Sequence, residues 1–208
     1  MKYFLQVLTV LSVGFLCSCV GLRSDIVLNA DGTGRISLEY RISRQFEAIG
    51  ALDGNTGRPT VPAGRADFER SIKRLEGLTL SSFSSAEEGR DLVNKAVVSF
   101  TRLENILPLL DSGGGGATLS REGDRQLLRV RFDSARQDID PQLLALVEQL
   151  SLGYTIALSL SAPGDVKLRV KGDREDLVIE ESGRKAGFSL ALSRFFRPGK
   201  ELELEFVF

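Results

Sequence analysis

Gly34-Arg35-Ile36-Ser37-Leu38-Glu39-Tyr40-Arg41-Ile42 alternates without a break, with Ile36, Leu38, Tyr40 and Ile42 on one face and charged or polar side chains on the other. Successive side chains of a strand point to opposite faces, so this pattern is that of a half-buried β-strand. Immediately before it, Asp25-Ile26-Val27-Leu28-Asn29 reads as a second strand. Asp31-Gly32 lies between the two and marks a hairpin turn, because glycine adopts the positive φ that such turns require.

Outward from this hairpin, β signals dominate. Leu78–Phe83 and Lys95–Phe100 read as strands, as do Ala117–Arg121 and Gln126–Phe132, which turn at Gly123-Asp124. Tyr154–Ser161, Asp165–Val170, Leu177–Glu180, Lys185–Ser193 and Glu201–Phe208 follow, separated by glycine-bearing turns. In the last of these, Leu202, Leu204 and Phe206 alternate with Glu201, Glu203 and Glu205, which predicts one buried face and one wet face.

Helical signals are fewer. Arg65 to Glu76 spaces Phe68, Ile72 and Leu75 as one helix face. A short segment near Leu103, Ile106 and Leu107 is limited by Pro108. Asp140-Pro141 is a helix start, with Leu143, Leu144, Val147 and Leu150 as its apolar face. The expected fold is therefore α+β, an antiparallel β-sheet or sheets covered by two or three helices. Residues 50–64 and 112–116 read as loops.

The N-terminus carries an address. Met1-Lys2 is a positive n-region, and Tyr3 to Leu16 is an apolar stretch interrupted only by Gln6, Thr9 and Ser12. The stretch is too short for a bilayer core of roughly 30 Å, which takes about 20 residues, and it fits the apolar segment of a secretory signal. It ends in Leu16-Cys17-Ser18-Cys19, an aliphatic residue at −3, a small residue at −1 and then cysteine. This is the lipobox pattern of bacterial lipoproteins. Cys19 is the expected lipidation site, its thiol taking diacylglycerol as a thioether with palmitate-type acyl chains, and Leu16 and Ser18 are the signal-peptidase recognition residues. Cys17 fits less well, because Leu16 would then stand at −1. The expected organisation is a signal peptide over 1–18, a lipid anchor and short tether over 19–24, and one extracytoplasmic domain over 25–208. At roughly 3.5 Å per residue, such a tether spans under about 20 Å.

Composition excludes several function classes. Hydrophobic residues make up 42% and charged residues 26%, as in an ordinary folded domain. The formal net charge of −1 gives no basic excess for releasing counterions from phosphates, so nucleic acid is not an expected partner. Histidine is absent, which removes Ser-His-Asp and Cys-His sets and imidazole-based zinc sites. The only cysteines are Cys17 and Cys19, so the domain has no internal disulfide to rely on. No cofactor or metal is expected.

Other candidate chemistry reduces to turns. Ser182-Gly183-Arg184-Lys185 matches S-x-x-K by letter but lies between strands and lacks the companion motifs. Gly113–Gly116 precedes a strand and has no Gly-Lys-Ser/Thr. Asn29, Asp31 and Thr33 lack the rest of a calcium loop. Asp173, Glu175, Asp176, Glu180 and Glu181 read as a solvated face. Phe195-Phe196 on a strand would point to opposite faces. Together with Arg194 and Arg197 they form a candidate ligand or membrane contact.

The order lipobox, strand, Asn-x-Asp-Gly-Thr turn, alternating strand and helix resembles the start of the LppM-type lipoproteins. The residues that carry it are Asp25-Ile-Val-Leu-Asn-Ala-Asp-Gly-Thr-Gly-Arg-Ile-Ser-Leu-Glu-Tyr. Ser161-Ala-Pro-Gly-Asp-Val is similar to a strand-ending motif of that family. Members often add a C-terminal transmembrane helix, and no second long apolar segment appears here. The resemblance implies an extracytoplasmic domain without established enzymatic chemistry and a role at the envelope, with lipid handling the most it suggests. The expected function is thus a non-enzymatic, membrane-anchored envelope lipoprotein that binds a lipid or other apolar ligand. The alternative is a structural protein that docks another envelope component. The membrane lipid around the Cys19 anchor is the first partner in either case.

Overall fold

The computed structural model describes residues 20–43, 65–111, 116–133, 145, 148, 149, 151–196 and 201–208. Among these, eleven strands form two sheets. Sheet A has the order β3-β4-β2-β1-β7-β10-β9 and sheet B the order β5-β6-β11-β8. The strands are β1 (Val20–Leu28), β2 (Gly34–Ser43), β3 (Leu78–Glu88), β4 (Asp91–Phe100), β5 (Ala117–Glu122), β6 (Arg125–Asp133), β7 (Thr155–Ser161), β8 (Lys167–Gly172), β9 (Leu177–Ser182), β10 (Lys185–Ala191) and β11 (Glu201–Val207). Neighbours are antiparallel except β1 and β7, which run parallel.

The expectation of an α+β fold, with an antiparallel sheet or sheets covered by two or three helices, is corrected here. The chain is mostly β, and a second sheet does most of the covering. The reason lies in two apolar faces that need each other. β10 turns Ala186, Phe188 and Leu190 inward, and β11 turns Leu202, Leu204 and Phe206 inward; all six are buried in one core. Phe188 stands between Phe132 and Phe206 of sheet B, with ring centroids 5.7 Å and 6.3 Å away. Each fully buried side chain of this kind contributes roughly 1.5–3 kcal/mol.

The helices are too short to do the same. α1 (Arg65–Lys73) covers only the β2–β3 end of sheet A, laying Phe68 over Tyr40 and Phe83 at 6.3 Å and 5.8 Å. The segment at Pro108 is a 3-10 turn over Leu103–Ile106 followed by the single-turn α2 (Leu107–Leu110). Of the helix expected after Asp140-Pro141, the described residues Ala145, Glu148, Gln149 and Ser151 are helical; its expected apolar face lies outside the described residues. So do the loop over 50–64 and Ser112 to Gly115.

The first hairpin forms as read. Gly32 has φ +83°, Asp31 accepts from the Thr33 amide and hydroxyl at 3.0 Å and 2.7 Å, and Asn29 donates to the Thr33 hydroxyl at 3.0 Å. These residues satisfy one another as a turn. Gly34 is needed for another reason. A Cβ there would lie 2.3 Å from the Val27 carbonyl oxygen and 2.4 Å from the buried Phe100 ring.

On β11 the wet face is not uniformly wet. Glu201 and Glu203 keep exposure, but Glu205 is only 3% exposed. β11 is an inner strand, so Arg129 of β6 and Lys171 of β8 reach over it, at 2.5 Å and 3.2 Å from Glu205 Oε1. The Arg129 hydrogen bond outweighs the opposing effect of burial, and with Lys171 it holds the Glu205 carboxyl below its ordinary pKa.

Two outcomes follow from this packing. Gly34→Ala must displace the Phe100 ring or the β1 backbone and should cost about 1–3 kcal/mol in denaturant unfolding. Glu205→Gln should cost about 1–2 kcal/mol at neutral pH. Because the folded-state pKa is depressed, that difference is complete above the unfolded carboxylate range and shrinks as pH falls through the folded pKa. Unfolding midpoints of both chains between neutral and acid pH check the convergence.

Candidate functional site

β7 and β10 place large apolar side chains inward at every second position, and between these lie Ala157, Ser159, Gly187 and Ser189. The outer face of sheet A is therefore low along these two strands. On one flank β1 and β2 raise Arg23, Asp25, Glu39 and Arg41; on the other, edge strand β9 raises Val178 and Glu180. The result is a groove of about 760 Å³ running along the strands from Gly21 and Thr155 to Ser182 and Lys185.

Cross-strand register orders the groove into rows. One row reads Glu39, Arg23, Ala157, Ser189 and Val178, and the next reads Ser37, Asp25, Ser159, Gly187 and Glu180. Asp25 accepts from Arg23 Nε at 2.8 Å and from the Ser159 hydroxyl at 2.6 Å, with Lys185 Nζ at 3.9 Å. Burial pushes the Asp25 pKa up, but the bonds from Arg23 and Ser159 and the charges of Arg23 and Lys185 bring it below its ordinary value. Arg41 pairs with Glu39 at 3.3 Å and Glu88 at 2.7 Å, and Lys95 lies 3.5 Å from Glu39. The groove thus has a floor of small side chains and, on its β1–β2 flank, a rim of paired charge, a lining suited to an amphipathic molecule.

β1 begins at Val20, so pairing extends through residues 20–24, assigned above to a tether. Leu22 is paired to Tyr40 and to Ile156. The groove consequently starts two residues after Cys19. Cys19 itself, with Leu16 and Ser18, lies outside the described residues.

Of the arginine–phenylalanine candidate, Arg194 is the one side chain among the described residues, and it is not a surface residue. Residues Leu192–Phe196 form a 3-10 turn rather than a strand continuing β10. Arg194 is 4% exposed and faces inward. Its guanidinium donates to the Glu175 carbonyl and, at 2.5 Å, to the Asp173 carbonyl, with the Asp173 carboxylate 3.7 Å away. Two members of the acidic cluster, Asp173 and Glu175, therefore wrap this one arginine. Glu181, another member, accepts from the Leu168 amide at 2.6 Å and ties β9 to β8. The side chains of Phe195 and Phe196, and all of Arg197, lie outside the described residues. Ser182-Gly183-Arg184-Lys185 is the β9–β10 hairpin, with Gly183 at φ +53°.

At the far end of the sandwich the two stretches of the family resemblance meet. Asn29, Ala30 and Gly32 of the first turn and Ala162-Pro163-Gly164 border a cleft of about 470 Å³ with Gln126 and Phe208. Across β1, at about 3.3 Å per residue, this lies roughly 26 Å from the Val20 end.

The sequence reading missed the groove. Its signal is present in Thr155-Ile-Ala-Leu-Ser-Leu-Ser and Lys185-Ala-Gly-Phe-Ser-Leu-Ala, where apolar residues alternate with Ala, Gly and Ser rather than with charges.

No family model and no curated protein matches the sequence. Among solved structures, the chain is similar to the NMR structure of the folded domain of the LppM protein of Mycobacterium tuberculosis. The TM-score is 0.52 at 15% identity, over 93% of this chain and 91% of that one. The chain has the LppM-type fold.

Arg194→Lys should destabilise the chain by about 1–3 kcal/mol, since an ammonium cannot replace the planar fork between two carbonyls. Thermal unfolding of the variant checks this structural role.

Proposed function

We propose that this chain is a non-enzymatic lipoprotein of the cell envelope, anchored extracytoplasmically through Cys19, that binds a lipid in the sheet A groove. The observation carrying this reading is the start of β1 at Val20, so that the Gly21 end of the groove follows Cys19 by two residues in the sequence. Lipid anchoring through two acyl chains is stable, at about 0.8 kcal/mol per buried methylene. No described helix is long and apolar enough to cross a membrane. The lipobox residues and the LppM-type fold agree with an envelope role.

Chemistry in the groove argues for binding over turnover. Ser159 is the one hydroxyl there with a hydrogen-bonded carboxylate shown, and that carboxylate is Asp25. A general base works best with a pKa near the operating pH, and Asp25 is shifted the other way. The ion-paired Arg23, Asp25, Glu39 and Arg41 suit a polar headgroup, and the groove's small residues leave room for an acyl chain.

A second reading is docking of another envelope component. Edge strand β9 favours it, because Val178 and Ile179 are exposed on opposite faces of that strand, at 58% and 40%. Free edges of this kind recruit partner strands.

The test uses mature chain extracted from its membrane in a nanodisc-forming polymer, followed by release and native mass spectrometry. A bound lipid mass on the wild type, reduced at least about tenfold by Ala157→Trp with unchanged circular dichroism, supports the groove reading. A clean apo mass, with in-cell crosslinks to one protein that Val178→Lys abolishes, replaces it with docking.

A further inference from the structure

Two sheets leave four edge strands, β3 and β9 in sheet A and β5 and β8 in sheet B. An edge offers unpaired N–H and C=O groups to any strand that arrives, and folds close such edges with bulges, helices, charges or covering side chains. β3 has a bulge between Leu80 and Ser82 and lies beside α1. β5 has α2 beside it. β8 is closed by two side chains. Glu181 accepts from the Leu168 amide at 2.6 Å, and the Arg174 guanidinium donates to the Val170 carbonyl at 3.3 Å.

β9 has no such cover among the described residues. It pairs with β10 over Leu177–Ser182 without a bulge, and its Val178 and Ile179 are two of the three exposed large apolar side chains among the described residues. The turn Gly183-Arg184 closes on the pair Ser182 and Lys185. Alternation from that pair turns the N–H and C=O of Glu180 and Val178 toward β10 and those of Ile179 outward. The Leu177 amide obeys the same alternation, donating to the Arg174 carbonyl at 3.2 Å outside the ladder. Arg194 fixes the loop just before the strand through the Asp173 and Glu175 carbonyls, and the tight hairpin fixes the other end. An edge held in this way loses little freedom when a partner strand binds.

Side chains set what that strand must carry. On the groove face it would meet Val178 and Glu180, and on the other face Ile179. Glu180 is exposed and in no ion pair among the described residues, whereas Glu181 is taken up by the Leu168 amide and by Lys167 at 3.8 Å. One carboxylate is therefore left for the arriving strand. A lysine or arginine opposite it pairs, and a carboxylate opposite it is repelled. A second copy of this chain fits less well. Two-fold pairing about Ile179, which is level with Ser24 of β1, would set the two Val20 ends about 26 Å apart along the strands. The two chain ends that follow Cys19 in sequence would then point opposite ways.

We propose that β9 docks a β-strand of another polypeptide, an extended segment with apolar residues to meet Val178 and Ile179 and a lysine or arginine to meet Glu180. Main-chain hydrogen bonds to the outward groups of Ile179 hold the strand, and the side chains on its two faces select it. This inference rests on the second reading above, docking of another envelope component, and assigns the partner's chemistry. An added strand borders the groove without filling it.

The test uses the full chain in phosphatidylcholine nanodiscs and short fluorescent peptides, one alternating valine with lysine and one alternating valine with glutamate, read by anisotropy. The lysine peptide should bind and the glutamate peptide should not. Glu180→Lys, on an exposed side chain, should weaken the lysine peptide about fivefold. Ile179→Pro removes the outward amide without touching the β10 ladder, and should abolish binding with unchanged circular dichroism. No binding of the lysine peptide at millimolar concentration overturns the inference, as does binding that Glu180→Lys leaves unchanged. A dimer of the chain that Ile179→Pro disperses assigns the edge to a second copy and also overturns it. If the lysine peptide fails while in-cell crosslinks to one protein still disappear in Val178→Lys, docking stands and the partner chemistry assigned here falls.

Discussion

The structure depends on the burial of Phe188 between Phe132 and Phe206. β10 is flanked in its own sheet by β7 and β9, and its inward side chains meet sheet B across the core. A second sheet supplies the apolar surface at that place. Leu202, Leu204 and Phe206 of β11 do so, and their own burial requires β10 in return. This mutual dependence explains why the chain divides its strands seven and four rather than building one wide layer. A very wide twisted sheet would expose apolar rows at its ends, while two packed sheets hide them in one core.

The groove is a by-product of the same strands. Because β7 and β10 spend their large residues inward, their outward positions carry Ala157, Ser159, Gly187 and Ser189. At Gly187 a Cβ would approach the Ser159 Cβ to 3.0 Å, so these two strands are crowded on that side and small residues relieve it. Flanking strands lack the crowding and carry long side chains, which makes relief into a trough. The charges along its rim are then partly desolvated by one another, and pairing such as Arg23 to Asp25 is what makes that tolerable. A binding surface can arise this way without any residue being placed for chemistry.

The secondary structure was largely legible because period-two patterns and glycine turns act locally. Ile36, Leu38, Tyr40 and Ile42 announce their strand, and Asp31-Gly32 announces the turn that feeds it. What was not legible depends on neighbours distant in the chain. Glu205 looks like its wet companions Glu201 and Glu203, and only the position of β11 between β6 and β8 buries it. Arg194 sits beside Phe195-Phe196 and suggests a surface, yet the carbonyls of Asp173 and Glu175 draw it inward from about twenty residues away in sequence. Gly21 to Ser24 carry little strand signal of their own; their partners on β2 and β7 extend β1 to Val20. The fold class was misjudged for the same reason, since no local pattern says which sheet a strand will join.

Glu205 and Asn94 make the sharpest contrast. Both are polar side chains on interior strands, and both are almost wholly buried. Glu205 is buried from the outside by cations that satisfy it, so its burial strengthens sheet B. Asn94 is buried from the inside beneath an aromatic layer, where neither it nor Tyr40 is satisfied. Burying a polar group is affordable only when its bonds are made.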